Sequence, residues 1–114
     1  RVDLALDVQA KQVQGQAPNV FEVSLQIRAD AKLGDTSCFI AELVYCGVFT
    51  LNVAQEHVEP VLLVECPRLL FPFARNILAE VTRDGGFPPV LLQPIDFVAL
   101  WQSRRANQPP AGNA

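Results

Sequence analysis

Two segments in the first third of the chain alternate between apolar and polar residues, which is the period of a β-strand with one buried and one solvated face. In residues 23–33 every odd position is apolar and every even position is polar, whereas in residues 2–9 the even positions are apolar. The apolar positions are Val2, Leu4, Leu6, Val8, Val23, Leu25, Ile27, Ala29, Ala31 and Leu33. We therefore predict two strands, separated by a loop at 15–19.

A third predicted strand, residues 37–53, differs from the first two because both of its faces are largely apolar. It follows a tight turn at Gly34-Asp35-Thr36. Glu42 is the one charged residue between Cys38 and Leu51. A strand covered by helices on one side only would carry polar residues on its other side. We expect the even-numbered face to be covered by something else or to be kept apolar for a purpose.

The second half of the chain predicts a long helix over residues 67–83. Pro67 suits its first turn, where a missing N–H costs little, and Gly85-Gly86 ends it. Pro72 is expected to kink the helix. Apolar residues cover a wider arc than a surface helix needs, which indicates burial against a partner. The remaining predictions are a helical turn within 55–64, a proline-containing loop at 85–94 and a shorter helix at 95–106.

Three strands followed by two helices predict an α+β fold, with an antiparallel sheet and a long and a shorter helix packed on one face. The 114 residues fit one domain, which we place at 1–106, and composition predicts a disordered tail at 107–114. Hydrophobic residues make up 50% of the chain and charged residues only 18%. We expect apolar surface to remain available for another subunit or a ligand.

Charge and residue content argue against several classes of function. The net charge of −3 lacks the basic footprint of nucleic-acid binding, and neither a membrane span nor a signal peptide is predicted. The single histidine, His57, has no cysteine at ligand spacing, and no serine lies in a nucleophile elbow. We expect no metal, no cofactor and no enzymatic activity. Cys38, Cys46 and Cys66 are interpreted as reduced, buried thiols.

Several stretches of the sequence together resemble the SecB family of bacterial export chaperones. The run Cys66-Pro67-Arg68-Leu69-Leu70-Phe71-Pro72-Phe73-Ala74-Arg75 resembles the start of the family's long helix. Further matches, in the family's order and close to its spacing, are residues 32–36, 39–42, 47–49, 83–92 and 94–101. The resemblance extends over nearly all of Val2 to Arg105. It implies a four-stranded sheet whose first strand would precede Val2, so we expect that strand to be absent here.

The resemblance also implies an activity and partners. SecB-type chaperones hold unfolded preproteins in the cytoplasm without ATP and pass them to the export ATPase SecA. They are tetramers of two dimers, with the long helices sandwiched between sheets. We expect a homotetramer with Leu70, Phe73, Ile77 and Leu78 at a subunit interface. The alternative is a SecB-like interaction protein dedicated to one partner, such as a toxin–antitoxin pair, and the breadth of client binding separates the two.

Two binding surfaces follow from the same resemblance. The implied client groove lies between the sheet and the second helix and is roofed by the crossover loop. Its expected residues are Val2, Leu4, Leu6, Phe39, Phe87, Leu91, Phe97, Leu100 and Trp101. Phe97 and Leu100 recur at helical spacing, so a plain core stripe is their alternative. Ile40 and Glu42 match family positions that contact SecA, and the alternative for Glu42 is a solubilising charge on an apolar strand.

Overall fold

The computed structural model describes residues 1–107, and its three strands form an antiparallel meander. The strands are β1 (Val2–Gln12), β2 (Val20–Leu33) and β3 (Thr36–Thr50), in the spatial order β1-β2-β3. β3 ends before its predicted limit at residue 53. Within the described residues β2 is central, and β1 and β3 each pair on one side only.

The strand register places the alternating apolar positions of β1 and β2 and the odd-numbered positions of β3 on one face of the sheet. Leu25, in the middle of β2, pairs with Val8 of β1 and Tyr45 of β3. The fully buried residues of this face are Val8, Val23, Leu25, Ile27 and Ala29. The long helix packs on this face against β3 and β2. The predicted α+β fold is therefore confirmed.

The long helix has nearly its predicted bounds, with Pro67 in its first turn, and helical turns precede it without a break. A 3₁₀ turn (Gln55–His57), an α-helical turn (Val58–Pro60) and a π-helical turn (Val61–Glu65) lead directly into the long helix, Cys66–Asp84. In the π-helical turn the Cys66 N–H donates to the Val61 carbonyl. A proline offers no N–H and crowds the carbonyl four residues before it. The wider π-helical turn gives Pro67 a place within a continuous helix.

The long helix approaches β3 closely because position 47 is a glycine. A Cβ atom built on Gly47 would lie 2.8 Å from Leu70 Cδ2 and 3.0 Å from Phe49 Cε2. The first distance is shorter than real Cβ contacts and the second is unusually tight, so a larger residue would require the Leu70 side chain and the ring of Phe49 to shift. Gly47 thus leaves room for Leu70 of the long helix against the sheet.

The C-terminal helix spans Phe97–Asn107, and the crossover loop defined by residues 85–96 joins it to the long helix. The loop begins at Gly85 and Gly86, and Gly86 has a φ of 86°, a left-handed conformation that glycine adopts without steric cost. Asn107, which we assigned to the tail, is the last helical residue. The rest of the predicted disordered tail, 108–114, lies outside the described residues.

Candidate functional site

An apolar cavity of about 530 Å³ lies between the sheet and the crossover loop. Its volume is within the range of sites that hold small molecules or side chains. The sheet contributes Val2, Leu4, Ala31, Leu33 and Phe39, and the loop contributes Phe87, Pro88, Pro89, Val90, Leu91, Leu92 and Ile95. Arg1, Lys32, Cys38 and Gln93 complete the lining. Apart from these four residues the lining is apolar, so the cavity suits apolar side chains.

Two aromatic rings form one wall of this cavity. The ring centroids of Phe39 and Phe87 are 4.4 Å apart, with an angle of 41° between the ring planes. Phe39 lies on the helix-facing side of β3, and Phe87 follows the glycines that end the long helix. Tilted aromatic pairs offer a large apolar surface without requiring one partner geometry. Such a wall accepts many different apolar side chains.

The crossover loop alternates between buried and exposed residues above the cavity. Val90 and Leu92 are buried in the core, whereas Leu91 between them is 63% exposed. Both neighbours of Leu91 therefore anchor the loop, and the Leu91 side chain remains available on the surface. This alternation explains how an irregular segment rich in proline keeps one position over the sheet.

Five of the nine expected groove residues line the same cavity, and four do not. Those on the cavity are Val2, Leu4, Phe39, Phe87 and Leu91. Phe97 is almost completely buried and contacts Phe71 edge-on, with ring centroids 5.9 Å apart. Leu6 and Leu100 are half-buried against the core. For Phe97 the structure therefore favours the core-stripe alternative.

Trp101 lines a second cavity that shares no lining residue with the first. This cavity, of about 420 Å³, lies between the C-terminal helix and the turns that precede the long helix. The Trp101 indole Nε1–H donates to Glu59 Oε1 at 3.1 Å, and Val61 and Val64 are among the other lining residues. Trp101 lies one helical turn after Phe97, but its side chain meets the turns before the long helix, whereas Phe97 packs on Phe71.

Ile40 and Glu42 lie on the outer face of the sheet, opposite the helices. Both are exposed, and they pair across the strands with Asp30 and Arg28 respectively. Glu42 Oε1 is 3.7 Å from Arg28 Nε in a solvent-exposed ion pair. Because side chains alternate along β3, this surface is separated by the thickness of the sheet from the cavity that Phe39 lines.

The even-numbered face of β3 is exposed throughout the described chain. Ile40, Val44 and Val48 are 48%, 59% and 65% exposed. We expected this apolar face either to be covered or to be kept apolar for a purpose. No described residue covers it. The face is instead open to a partner.

The four residues expected at a subunit interface divide into two pairs. Leu70 and Leu78 are 6% and 1% exposed within the single chain, so their burial needs no partner. Phe73 is 58% exposed and Ile77 is half-buried. Phe73 stacks on Tyr45 of β3 with ring centroids 6.2 Å apart. With Leu69 and Val81, which are also exposed, Phe73 and Ile77 form an apolar strip on the long helix.

The expectation of three buried thiols is wrong for two of them. Cys66 is buried, but Cys38 and Cys46 are exposed, and all three are free. Burial, together with the charge of Glu65, raises the pKa of the Cys66 thiol from 9.0 to about 11. Cys46 lies on the even-numbered outer face of β3, whereas Cys38 lies at the register shift near the start of β3 and is among the cavity-lining residues.

We expect a thiol-specific reagent at neutral pH to label Cys38 and Cys46 rapidly and Cys66 only after unfolding. The reactive species is the thiolate, and both burial and the raised pKa of Cys66 suppress it. Counting released chromophore with and without denaturant measures this difference. Equal rates for all three thiols would show that the start of the long helix opens readily.

Neither a metal site nor a membrane-spanning helix is present in the part of the chain that the structure describes. No group of three or more histidine, cysteine, aspartate or glutamate residues within 1–107 is arranged to hold a metal ion. No helix in the same residues is long and apolar enough to cross a membrane.

The described residues form an α+β domain: an antiparallel sheet backed by a long helix, with an aromatic-walled apolar cavity under a crossover loop. Residues 1–108 match the family described as preprotein translocase subunit SecB. Protein-export protein SecB of Granulibacter bethesdensis is 64% identical over 115 positions, covering 95% of this chain and 67% of that protein. The SecB proteins of Acidiphilium cryptum and Gluconacetobacter diazotrophicus are 57% and 55% identical, covering 92% and 100% of this chain and 71% of each protein. The chain belongs to the SecB family of protein-export chaperones.

Proposed function

We propose that this protein is a cytoplasmic, ATP-independent holdase that binds unfolded preproteins and delivers them to SecA. The observation that carries the proposal is the apolar cavity walled by Phe39 and Phe87 and roofed by the crossover loop. An unfolded preprotein exposes the aromatic and aliphatic side chains that such a cavity accepts, whereas a folded protein buries them. The names of the relatives, which describe protein export, support the same process.

The mechanism we propose needs no chemical step. A protein that binds the unfolded state and not the native state shifts the folding equilibrium by mass action. One cavity contributes modest affinity, but a client that occupies the cavities of several subunits gains from a high effective concentration after the first contact. A delivery chaperone must hold its client tightly as a whole, while each single cavity can release its part of the client.

Competition among unrelated clients tests the holdase proposal. A fluorescently labelled, reduced and unfolded protein is bound first, and its anisotropy is followed as unlabelled unfolded proteins of unrelated sequence are added. We expect each unfolded competitor to displace the label at similar concentrations and its folded form to have no effect. Displacement by one protein alone would support the dedicated-partner alternative, and no binding of any unfolded protein would refute both.

Assembly into a tetramer is part of the proposal, and the exposed strip on the long helix supports it. Leu69, Phe73, Ile77 and Val81 expose apolar area that a subunit contact would bury. Monomeric proteins seldom leave such strips open. We therefore propose that Phe73 and Ile77, rather than Leu70 and Leu78, contact a neighbouring subunit.

Phe73→Glu is expected to reduce the mass of the particle while leaving each subunit folded. The change places a carboxylate in the proposed contact, where desolvating an unpaired charge is costly. Light scattering gives the mass and circular dichroism gives the fold. Arg75→Glu is the control, because Arg75 is exposed on the same helix, away from the apolar strip. An unchanged mass for Phe73→Glu would exclude this strip from the interface.

Delivery to SecA is proposed to use the outer face of the sheet around Ile40 and Glu42. Glu42→Lys is expected to slow SecA association and to alter its salt dependence, because a rim charge acts mainly on the encounter. Holding of unfolded clients should be nearly unchanged, since the cavity lies on the other face of β3. Surface plasmon resonance at several salt concentrations measures the association rate.

Glu22→Lys is the matched control for this prediction. Glu22 is another carboxylate of the outer face, and it pairs with Lys11 as Glu42 pairs with Arg28. If both variants slow association with SecA equally, the effect comes from the total charge of the protein and not from the position of Glu42. If Glu42→Lys leaves SecA binding intact at low salt, Glu42 is a solubilising charge.

A further inference from the structure

The only buried polar residue among the described side chains is Thr82, in the last turn of the long helix. Its hydroxyl donates to the Leu78 carbonyl, with an Oγ1–O distance of 2.9 Å, and lies 3.1 Å from the Ala79 carbonyl. The same oxygen accepts the backbone N–H of Val90 at 2.9 Å. The backbone carbonyl of Thr82 accepts the N–H of Phe87 at 3.1 Å.

Both hydrogen bonds to Thr82 come from the segment that roofs the cavity. The Phe87 N–H fixes the start of that segment, next to the aromatic wall, and the Val90 N–H fixes its middle. With Val90 held, Leu92 enters the core and Leu91 stays on the surface above the cavity. Loss of the Val90 bond would leave the Phe87 N–H bonded to the Thr82 carbonyl but the middle of the segment free to shift, and a shift by one residue would exchange the exposed and buried side chains.

The hydroxyl group performs two tasks that no aliphatic side chain can perform. Its one proton is used by the helix carbonyls, which leaves the oxygen lone pairs to accept the Val90 N–H. Valine has nearly the shape of threonine but would leave that buried N–H without a partner, which is costly in an apolar environment. Serine keeps the hydroxyl and loses only a methyl group.

We infer that Thr82 is a positioning residue for client binding: its hydroxyl holds the crossover loop so that Phe87 and Leu91 present an open cavity to the client. This inference rests on the proposed holdase function and names the residue that shapes its site. Thr82 itself is not among the cavity-lining residues, so the effect inferred for its hydroxyl on client binding passes through the loop.

The test compares Thr82→Val with Thr82→Ser in the full chain. Three quantities are measured: amide hydrogen exchange at Val90 and Phe87 by NMR, binding of the apolar dye 1-anilinonaphthalene-8-sulfonate, and affinity for an unfolded, reduced client. For Thr82→Val we expect Val90 to exchange at least about tenfold faster and the client to bind about tenfold more weakly. Exchange at Phe87 should change less, because its acceptor is a backbone carbonyl. Thr82→Ser should remain within about threefold of wild type in all three measurements.

A second variant removes the hydrogen bond without changing either side chain. Replacing Val90 by its α-hydroxy analogue converts the amide into an ester, so the loop loses its N–H while Thr82 keeps its bonds to the helix. Equal losses in client affinity for this ester and for Thr82→Val would identify the loop bond as the cause. If Thr82→Val does not fold, the ester variant alone decides the question.

The outcomes separate this inference from the proposed function. Unchanged client affinity in a folded Thr82→Val variant with faster exchange at Val90 would overturn the inference and leave the holdase intact. Unchanged client affinity in a folded ester variant, which has no Val90 N–H to exchange, would do the same. If wild type binds no client, the proposed function fails. Binding of the dye then tests the role of the loop. A change of about tenfold in the dye affinity of the ester variant supports the role of the Val90 bond in shaping the cavity, and an unchanged dye affinity overturns it.

Discussion

Leu78→Ala is expected to lower the free energy of unfolding by about 3 kcal/mol, because the change removes a buried leucine and leaves a cavity in the core. Leu78 is 1% exposed within a single chain and belongs to the core formed by the sheet and the long helix. Urea denaturation followed by circular dichroism measures the loss. The mass of the folded particle should be unchanged, since the missing contacts lie inside the subunit.

Leu33→Ala is the matched control for Leu78→Ala. It is the same substitution at a leucine that is 77% exposed at the end of β2, and surface changes of this kind cost about 0.5 kcal/mol or less. Suppose instead that Leu78→Ala splits the particle and leaves the unfolding free energy of the subunit intact. Leu78 would then contact a second subunit, as the resemblance to the family first implied.

The double variant Phe39→Ala with Phe87→Ala is expected to weaken binding of an unfolded client by about 2–3 kcal/mol, or roughly 30- to 150-fold. The two rings are 4.4 Å apart and form the aromatic wall of the cavity. Removing both takes away the largest apolar surface that a client side chain would meet. Fluorescence anisotropy with a labelled client gives the affinity, and circular dichroism verifies the fold.

The two single alanine variants and a variant of a distant aromatic residue serve as comparisons in this experiment. Each single substitution should cost less than the double one, and a double-mutant cycle measures the coupling between the two rings. Trp101→Ala is the comparison, because Trp101 lines the second cavity. A large loss for Trp101→Ala with no loss for the double variant would place the client site between the C-terminal helix and the turns before the long helix.

The strands, the order of elements and the fold class can be predicted from the sequence because they depend on the local spacing of apolar and polar residues. A strand with one buried face must alternate, and residues 23–33 of β2 do so strictly, whereas in β1 only Ala5 is an apolar residue at a polar position. The glycines after the long helix mark its end for an equally local reason, since Gly86 adopts a left-handed conformation. The long helix begins within one residue of its predicted start, and Pro67 lies in its first turn, as the sequence indicated. The sequence did not predict the π-helical turn that precedes it.

The family was recognised from the order and spacing of several short stretches, which the match over residues 1–108 confirms. Exposed surfaces cannot be predicted in this way, because a sequence pattern shows which residues are apolar but not which part of the fold covers them. Leu78 and Phe73 are both apolar residues of one helix, yet the sheet buries the first and leaves the second exposed.

The resemblance implied a groove under the crossover loop, but which residues line the cavity was decided by the tertiary structure. Phe39 and Phe87 are far apart in the chain, and they meet where the crossover loop covers β3. The resemblance grouped Phe97 and Trp101 with them, but neither lines this cavity, and spacing within one helix does not reveal which surface the helix faces. The sequence by itself determined which segments form strands and helices. Packing against Gly47 and the hydrogen bonds of Thr82 then decided which apolar residues form the core and which remain open to a partner.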